Sequence, residues 1–299
     1  MVSVIGAGAW GQALYSILKR NCPDAVITSR RRREIEGFVE LKEAVEREYI
    51  VVAIAAQGVR ELLPKVNWRR KKVLVASKGI DLETLHFLNQ LFRERLEEER
   101  LAFLGGPSFA KEVIEQKPTA LVVASKGAEV AMEFRKLLMA PFLKIYLDRD
   151  VEGVEVAGAY KNVIAIASGI SAGLELGENA RAALLARGLV EMARFGEVFG
   201  ARRETFLGVA GAGDLFLTAN SMISRNFRVG VALAKGRNLE EILKELGEVA
   251  EGVYTTKAIC QLSKAYGIYT PIAREVYQII YQQKSPRESL RDLIEGRGE

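Results

Sequence analysis

Lys161 is the only charged side chain between Val156 and Leu174, a run otherwise made of apolar, small or amide residues. An ammonium in such a run must be paired, neutralised or used, because loss of water disfavours its charged form and shifts its pKa down. Lys161 is therefore a candidate proton donor or acceptor at a carbonyl or alcohol centre. A lysine snorkelling from the edge of a buried helix is the competing reading. Asp214 closes the turn Gly211-Ala212-Gly213-Asp214-Leu215, and Thr218 follows one helical turn later on the same face. This pair can orient Lys161 or hold substrate hydroxyls; the plainer alternative is an aspartate that caps a helix.

Three further groups have the makings of an anion site. Ser224-Arg225-Asn226 opens a helical pattern with a capping hydroxyl, a guanidinium and an amide, so free N–H groups, helix dipole and Arg225 together suit a phosphate. Lys78, in Ser77-Lys78-Gly79, follows a strand pattern, where α/β proteins place residues that meet ligands; a solvated loop lysine is the alternative. Gly105-Gly106-Pro107-Ser108-Phe109-Ala110 also follows a strand, with Ser108 placed to cap a helix and paired glycines that allow a ligand close to the backbone. Glu251-Gly252 adds a carboxylate at the start of a helical pattern.

The elements that must hold these residues begin at the amino end. Val2-Ser3-Val4-Ile5 is a strand pattern that runs straight into Gly6-Ala7-Gly8-Ala9-Trp10-Gly11, and an amphipathic helix pattern continues to Arg20. Strand, G-x-G-x-x-G turn and helix read as a dinucleotide site, in which Gly6 permits the turn, Gly8 admits a pyrophosphate, and Gly11 lets helix and strand pack closely; an incidental glycine-rich turn is the alternative. Where NAD sites carry an acidic residue beyond the second strand, this chain has Arg30-Arg31-Arg32-Arg33. Guanidinium groups suit a phosphate, so NADPH is favoured over NADH, with Arg30 nearest the strand; the alternative is a set of arginines facing water.

Further apolar strands at 25–28, 49–54, 72–76, 101–104, 120–124 and 143–147 alternate with helical candidates. The pattern predicts a doubly wound, largely parallel sheet, a Rossmann-like α/β domain over residues 1–150. Beyond 150 the strand signal ends, and residues 151–299 read as an all-helical substrate-binding and catalytic domain with helices near 153–172, 179–199, 226–234, 239–246, 254–266, 271–282 and 286–295.

Composition narrows the class. Apolar residues at 49% and charged residues at 27% describe a globular chain. The net charge of +5 is mostly interleaved with glutamate along helices, so nucleic-acid binding is not demanded. Cys22 and Cys260 lack metal-ligand spacing and His86 is the single histidine, so no metal site is expected and a reducing, cytoplasmic setting is. No apolar run is suited to a membrane span, and the opening residues enter the first strand without a signal segment.

Taken together and in order, Gly6–Gly11, Ser77-Lys78-Gly79, Gly106–Glu112, Lys161-Asn162-Val163, Gly211–Leu215, Ser224-Arg225-Asn226 and Glu251-Gly252 resemble the NAD(P)-dependent glycerol-3-phosphate dehydrogenase family over nearly the whole chain. The resemblance implies interconversion of dihydroxyacetone phosphate and sn-glycerol 3-phosphate, with NADPH, and also NADH, as cofactor. It implies Lys161 as the catalytic lysine, with Lys78 and Asp214 lining the same centre, and Asn162 and Thr218 beside them. Gly106, Ser108, Ser224, Arg225 and Asn226 match substrate positions. Ala9, Trp10, Arg30 with Arg31, Lys78, Ala110, Arg225, Val249 and Glu251 match cofactor positions. A homodimer acting on a small phosphorylated triose, supplying glycerol phosphate for phospholipids, is the corresponding biological expectation. Two departures stand out: the stretch between Arg33 and Tyr49 is shorter than in the family, and the arginine run is longer. The rival readings are a two-domain ketopantoate or 3-hydroxy acid reductase and a non-catalytic NADPH-sensing regulator.

Overall fold

A computed structural model describes residues 1–247 and 250–296. Seven strands, β1 (Val2–Ile5), β2 (Val26–Thr28), β3 (Tyr49–Val52), β4 (Lys72–Val75), β5 (Leu101–Gly105), β6 (Thr119–Ala124) and β7 (Leu143–Asp148), form one sheet in the order β2-β1-β3-β4-β5-β6-β7. Every pairing is parallel except β5 with β6, which run in opposite directions. The strands are rich in Val, Ile and Leu, and β1 is buried along its whole length, as a sheet covered on both faces requires. The expected Rossmann-like α/β class is therefore the one observed. Strand order reverses at β1, which has β2 on one side and β3 on the other, and α/β sheets bind ligands where the order reverses.

Six helices belong to the sheet unit: α1 (Ala9–Asn21), α2 (Leu41–Ala44), α3 (Val59–Leu62), α4 (Leu88–Arg93), α5 (Ala110–Ile114) and α6 (Ala128–Leu137). Leu14, Ile17 and Leu18 of α1 join Val4, Ile27, Val51 and Leu74 in a single apolar core. The charged stretch 40–48 makes only the single turn of α2.

The helical part contains α7 (Val151–Gly173), α8 (Gly177–Val198), α9 (Arg203–Leu207), α10 (Asp214–Ala219), α11 (Arg225–Ala234), α12 (Leu239–Leu246), α13 (Glu251–Tyr266), α14 (Pro271–Gln282) and α15 (Pro286–Glu295), with a π-helical turn over Val209–Gly213. The sequence expectation missed α9 and implied α10 only through the pairing of Asp214 with Thr218, without bounds; both helices are short and flank the glycine-rich run. By internal contacts the chain divides into two compact units, residues 1–78 with 86–155 and residues 79–85 with 156–299. The cut thus falls five residues later than the expected 150/151, inside α7, and the loop 79–85 groups with the helices.

α7 is the axis of the second unit: every residue from Gly153 to Ser171 is buried. Two glycines let α11 cross it almost backbone to backbone. A methyl group on Gly230 would lie 2.0 Å from the Ile166 carbonyl oxygen, and one on Gly169 would lie 2.1 Å from that of Phe227. Glu191 of α8 ties the other side. It accepts hydrogen bonds from Tyr160 Oη at 2.8 Å and from the N–H groups of Ile272 and Ala273 at 2.9 Å each, joining α7, α8 and the first turn of α14. Burial pushes the Glu191 carboxyl up, against the pull of these donors.

In the sheet unit, Glu155 Oε1 accepts the N–H of Asn89 at 3.0 Å, while its Oε2 is buried without a hydrogen-bond partner. Burial raises its carboxyl well above the usual 4.5, outweighing the Asn89 and Leu88 N–H groups. The folded chain therefore holds a proton that the unfolded chain releases over this window, so Glu155 makes stability fall as pH rises from the ordinary carboxylate range to the raised value. Melting temperatures of Glu155→Gln measured from about pH 5 to pH 8 should show a shallower decline than wild type; an identical slope would contradict the assignment.

Candidate active site

The glycine turn is explained partly by the chain itself and partly by what it leaves open. Gly6 follows β1 at φ +120°, a conformation that glycine reaches freely, and its N–H donates to the Thr28 carbonyl at 2.8 Å. Side chains are excluded at Gly6 by the Ala53 carbonyl and at Gly11 by the Gly6 carbonyl, which would lie 2.3 and 1.7 Å from an added carbon. At Gly8 an added carbon would meet no protein atom within 4 Å. Internal packing thus does not demand glycine there, whereas a pyrophosphate resting on the backbone does. Ala9 and Trp10 open α1, whose first turn carries no acidic side chain and whose cap makes no side-chain hydrogen bond. The amino end therefore remains positive and suited to a dinucleotide phosphate.

Arg30, Arg31, Arg32 and Arg33 follow β2 and are all exposed. The Arg30 guanidinium lies 4.0 Å from Glu61, with the two side chains 91% and 62% exposed. An ion pair so exposed is weak and leaves the guanidinium open to a phosphate. Lys78 sits half-buried in the loop beyond β4. Gly106, past β5, is buried at φ +103°, and Ser108 departs from expectation. Phe109 is the residue that precedes α5, and the Ser108 hydroxyl instead donates to the Gly106 carbonyl at 3.1 Å. Its hydroxyl holds the loop rather than the helix. Ala110 is the first residue of α5.

In the second unit, the structure brings Lys161, Asp214 and Thr218 together. Lys161 Nζ donates to Asp214 Oδ1 at 2.7 Å and to Thr218 Oγ1 at 2.8 Å, and Thr218 Oγ1 lies 3.3 Å from Asp214 Oδ1. Lys161 is 7% exposed and Asp214 1%, which removes the snorkelling alternative. The helix-cap reading of Asp214 is also corrected. The π turn Val209–Gly213, closed by the Gly213 N–H on the Gly208 carbonyl, delivers Asp214 as the first residue of α10, one position past the cap, which is Gly213. Its charge is committed to the ammonium.

A second polar group lies beside the first along α7. Asn226 Nδ2 donates to Asn162 Oδ1 at 2.9 Å, while Asn226 Oδ1 accepts the Gly252 N–H at 3.0 Å. Asn162 Nδ2 donates back to the Gly158 carbonyl at 3.3 Å. This chain of amides joins α7, α11 and the start of α13, where Glu251 is the first residue. Ser224 caps α11 as expected, accepting the Phe227 N–H at 3.3 Å, and Arg225 stands exposed in the first turn. Val249 lies outside the described residues. The sequence reading also passed over Glu191, although a carboxylate at an otherwise apolar position, three residues after Gly188 and four before Phe195, signals a buried partner.

Among the described residues no group of three or more His, Cys, Asp or Glu side chains could hold a metal ion, and no helix is long and apolar enough to cross a membrane. Comparison with known families decides the class. Residues 34–131 match the family model for the NAD-dependent glycerol-3-phosphate dehydrogenase N-terminus, and residues 150–291 match that for its C-terminus. The chain belongs to the NAD-dependent glycerol-3-phosphate dehydrogenase family.

A glycerol-3-phosphate dehydrogenase [NAD(P)+] from Nitratiruptor sp. is 53% identical over 300 residues, covering 100% of this chain and 99% of the relative. One from Campylobacter lari is 51% identical over 302 residues, with 100% and 99% covered. The crystal structure of glycerol-3-phosphate dehydrogenase from Coxiella burnetii superposes with a TM-score of 0.91 at 30% identity, covering 98% of each chain. A putative 2-dehydropantoate 2-reductase from Enterococcus faecalis reaches a TM-score of 0.57 at 11% identity, over 96% of this chain and 98% of that one, and shares the fold alone. As a member of the glycerol-3-phosphate dehydrogenase family the protein is an oxidoreductase that uses NAD(P)(H).

Removing one member of a buried ion pair strands the other charge at a cost of about 3–5 kcal/mol, whereas replacing both with apolar groups restores much of it. In urea unfolding, Asp214→Leu should therefore lose about 3 kcal/mol, and Lys161→Met with Asp214→Leu should recover most of that loss. Additive losses in the double variant would show that the pair is not energetically coupled.

Proposed function

We propose that the protein reduces dihydroxyacetone phosphate to sn-glycerol 3-phosphate, and runs the reverse oxidation, with NADPH preferred over NADH. The observation that carries this reading is the buried ammonium of Lys161 held by Asp214 and Thr218. When bound, the dinucleotide supplies or accepts hydride. Lys161 Nζ donates a proton to the oxygen on carbon 2 as that carbon gains hydride, and takes it back in the oxidation. Asp214 and Thr218 fix the direction of the Lys161 head, so that little reorganisation is needed when the proton moves.

The remaining roles follow from charge and position within each unit. Arg225, Asn226 and Ser224 at the start of α11 hold the substrate phosphate, with the orientation of Asn226 set by Asn162 and the Gly252 N–H. Lys78, Gly106 and Ser108 are assigned to the substrate as well, and Lys78 adds a second cation for a dianionic triose. Gly6, Gly8, Ala9, Trp10 and Gly11 hold the pyrophosphate, and Arg30 with Arg31 holds the 2′-phosphate. Ala110, Val249 and Glu251 complete the cofactor assignments. The preference for NADPH rests on exposed guanidinium groups where an NAD site would carry a carboxylate. The reading includes a cytoplasmic homodimer that supplies glycerol phosphate for phospholipids. Its support for self-association is the exposure of Leu207, Phe216, Met222 and Ile223.

Loss of NADPH absorbance on adding dihydroxyacetone phosphate, compared with NADH and with ketopantoate, tests the reaction; no loss with the triose under either cofactor would sink it. Lys161→Ala should abolish turnover while NADPH affinity, read by fluorescence titration, stays within about twofold, since a proton donor acts on the chemical step. For the cofactor, Arg30→Glu should raise the KM for NADPH by about tenfold, the worth of one charged hydrogen bond, and that for NADH far less. Equal rises would remove Arg30 from the 2′-phosphate.

A further inference from the structure

Away from the polar groups of α7, its carboxyl-terminal half forms one wall of a pocket closed by α8, α14 and α15. The pocket holds an atom-free space of about 500 Å³, part of it open to solvent. Its walls are aliphatic, built from residues such as Ile170, Leu174, Leu184, Ile279, Leu290 and Leu293, without an aromatic side chain. Leu174 and Leu184 are only half-buried and line its open side.

Polar groups on this wall divide into two kinds. Glu275 is satisfied: Lys284 Nζ donates to Glu275 Oε2 at 2.6 Å, and its two other hydrogens go to Asp292 Oδ2 at 2.6 Å and Gln278 Oε1 at 2.9 Å. All three hydrogens of the Lys284 ammonium are thereby used. Ser289 is different. It is 2% exposed, and its hydroxyl is buried without a hydrogen-bond partner among the described residues. A buried hydroxyl without a partner costs about 1–3 kcal/mol, and the loss is recovered by anything that enters and bonds to it.

We propose that this pocket binds an uncharged aliphatic alcohol, its chain lying among the branched side chains and its hydroxyl hydrogen-bonded to Ser289. The aliphatic wall selects a flexible chain over a ring, because an aromatic guest finds no ring to stack or edge against. The carboxylate of Glu275 on the wall, whose Lys284 partner is saturated, selects a neutral head over a second carboxylate. An aliphatic lining of this kind gains by exchanging water for an apolar guest. The site is separate from the proposed chemistry at Lys161 and does not depend on it.

Calorimetric titration of the full chain with 1-octanol, beside octanoate and benzyl alcohol, tests the assignment. Octanol should bind saturably and raise the melting temperature, with octanoate and benzyl alcohol each at least about tenfold weaker, the equivalent of a single lost polar or packing contact. Ala180→Met, which fills the space from its open side, should remove octanol binding. Ser289→Ala should weaken octanol by roughly fivefold, one neutral hydrogen bond, while raising the melting temperature of the ligand-free protein because the stranded hydroxyl is gone. Absence of saturable octanol binding, octanoate binding as tightly as octanol, or full octanol affinity in Ser289→Ala would each overturn the proposal.

Discussion

An ammonium placed in the middle of a buried helix has to be compensated at the place where it lies, and in this molecule the compensation organises the whole second unit. Lys161 stands on α7, whose residues from Gly153 to Ser171 are all buried, and the groups that satisfy it come from α10. For those groups to reach it, α10 must lie against α7 with Asp214 and Thr218 on the facing side. Ser168, two turns further along α7, adds a hydrogen bond to the Ala219 carbonyl at 2.7 Å and fixes the other end of the same contact. The near-contact of α7 and α11 through Gly169 and Gly230 then sets Asn226 against Asn162. One buried charge thus has two short polar layers arranged around it, and the apolar surroundings that make the charge expensive also make its direction fixed.

The sheet unit solves a different problem, that of approaching phosphate without a cation in the turn itself. Its device is bare backbone and an unneutralised helix start beside the point where strand order reverses. Side-chain charge is held further out, on the exposed Arg30 to Arg33, where the Arg30–Glu61 pair is weak. The backbone turn is thus suited to any dinucleotide phosphate.

Much of this was legible from residue types and order. The seven strands are short, β-branched and bounded by turns, so their existence could be read, and Lys161 stood out because nothing else charged surrounds it. What escaped was set by tertiary partners. That β6 runs against β5 leaves no mark on side-chain periodicity, because a strand buried on both faces looks the same in either direction. Ser108 has the right type to cap a helix, yet the chain starts α5 one residue later and its hydroxyl finds the Gly106 carbonyl first. Loop 79–85 carries no local sign that it groups with the helices. Glu191 was overlooked because its three donors come from residues 31 to 82 positions away.

The glycine-rich run before Asp214 looks in the sequence like slack, but in the fold it sets phase. Between α9 and α10 the chain makes one wide turn over Val209–Gly213, so the two helices do not share a continuous 3.6-residue register. The apolar stripe of one cannot be extrapolated into the other, which is why periodicity faded there. Each residue added to or taken from a helical stretch rotates the next turn by about 100°. A one-residue change in this run would therefore carry the carboxylate of Asp214 away from Lys161, even with every side chain kept. Most connections on a protein surface tolerate changes of length; this one is constrained by its length and, at Gly211, by identity as well, since an added carbon there would lie 2.2 Å from the Phe206 carbonyl oxygen.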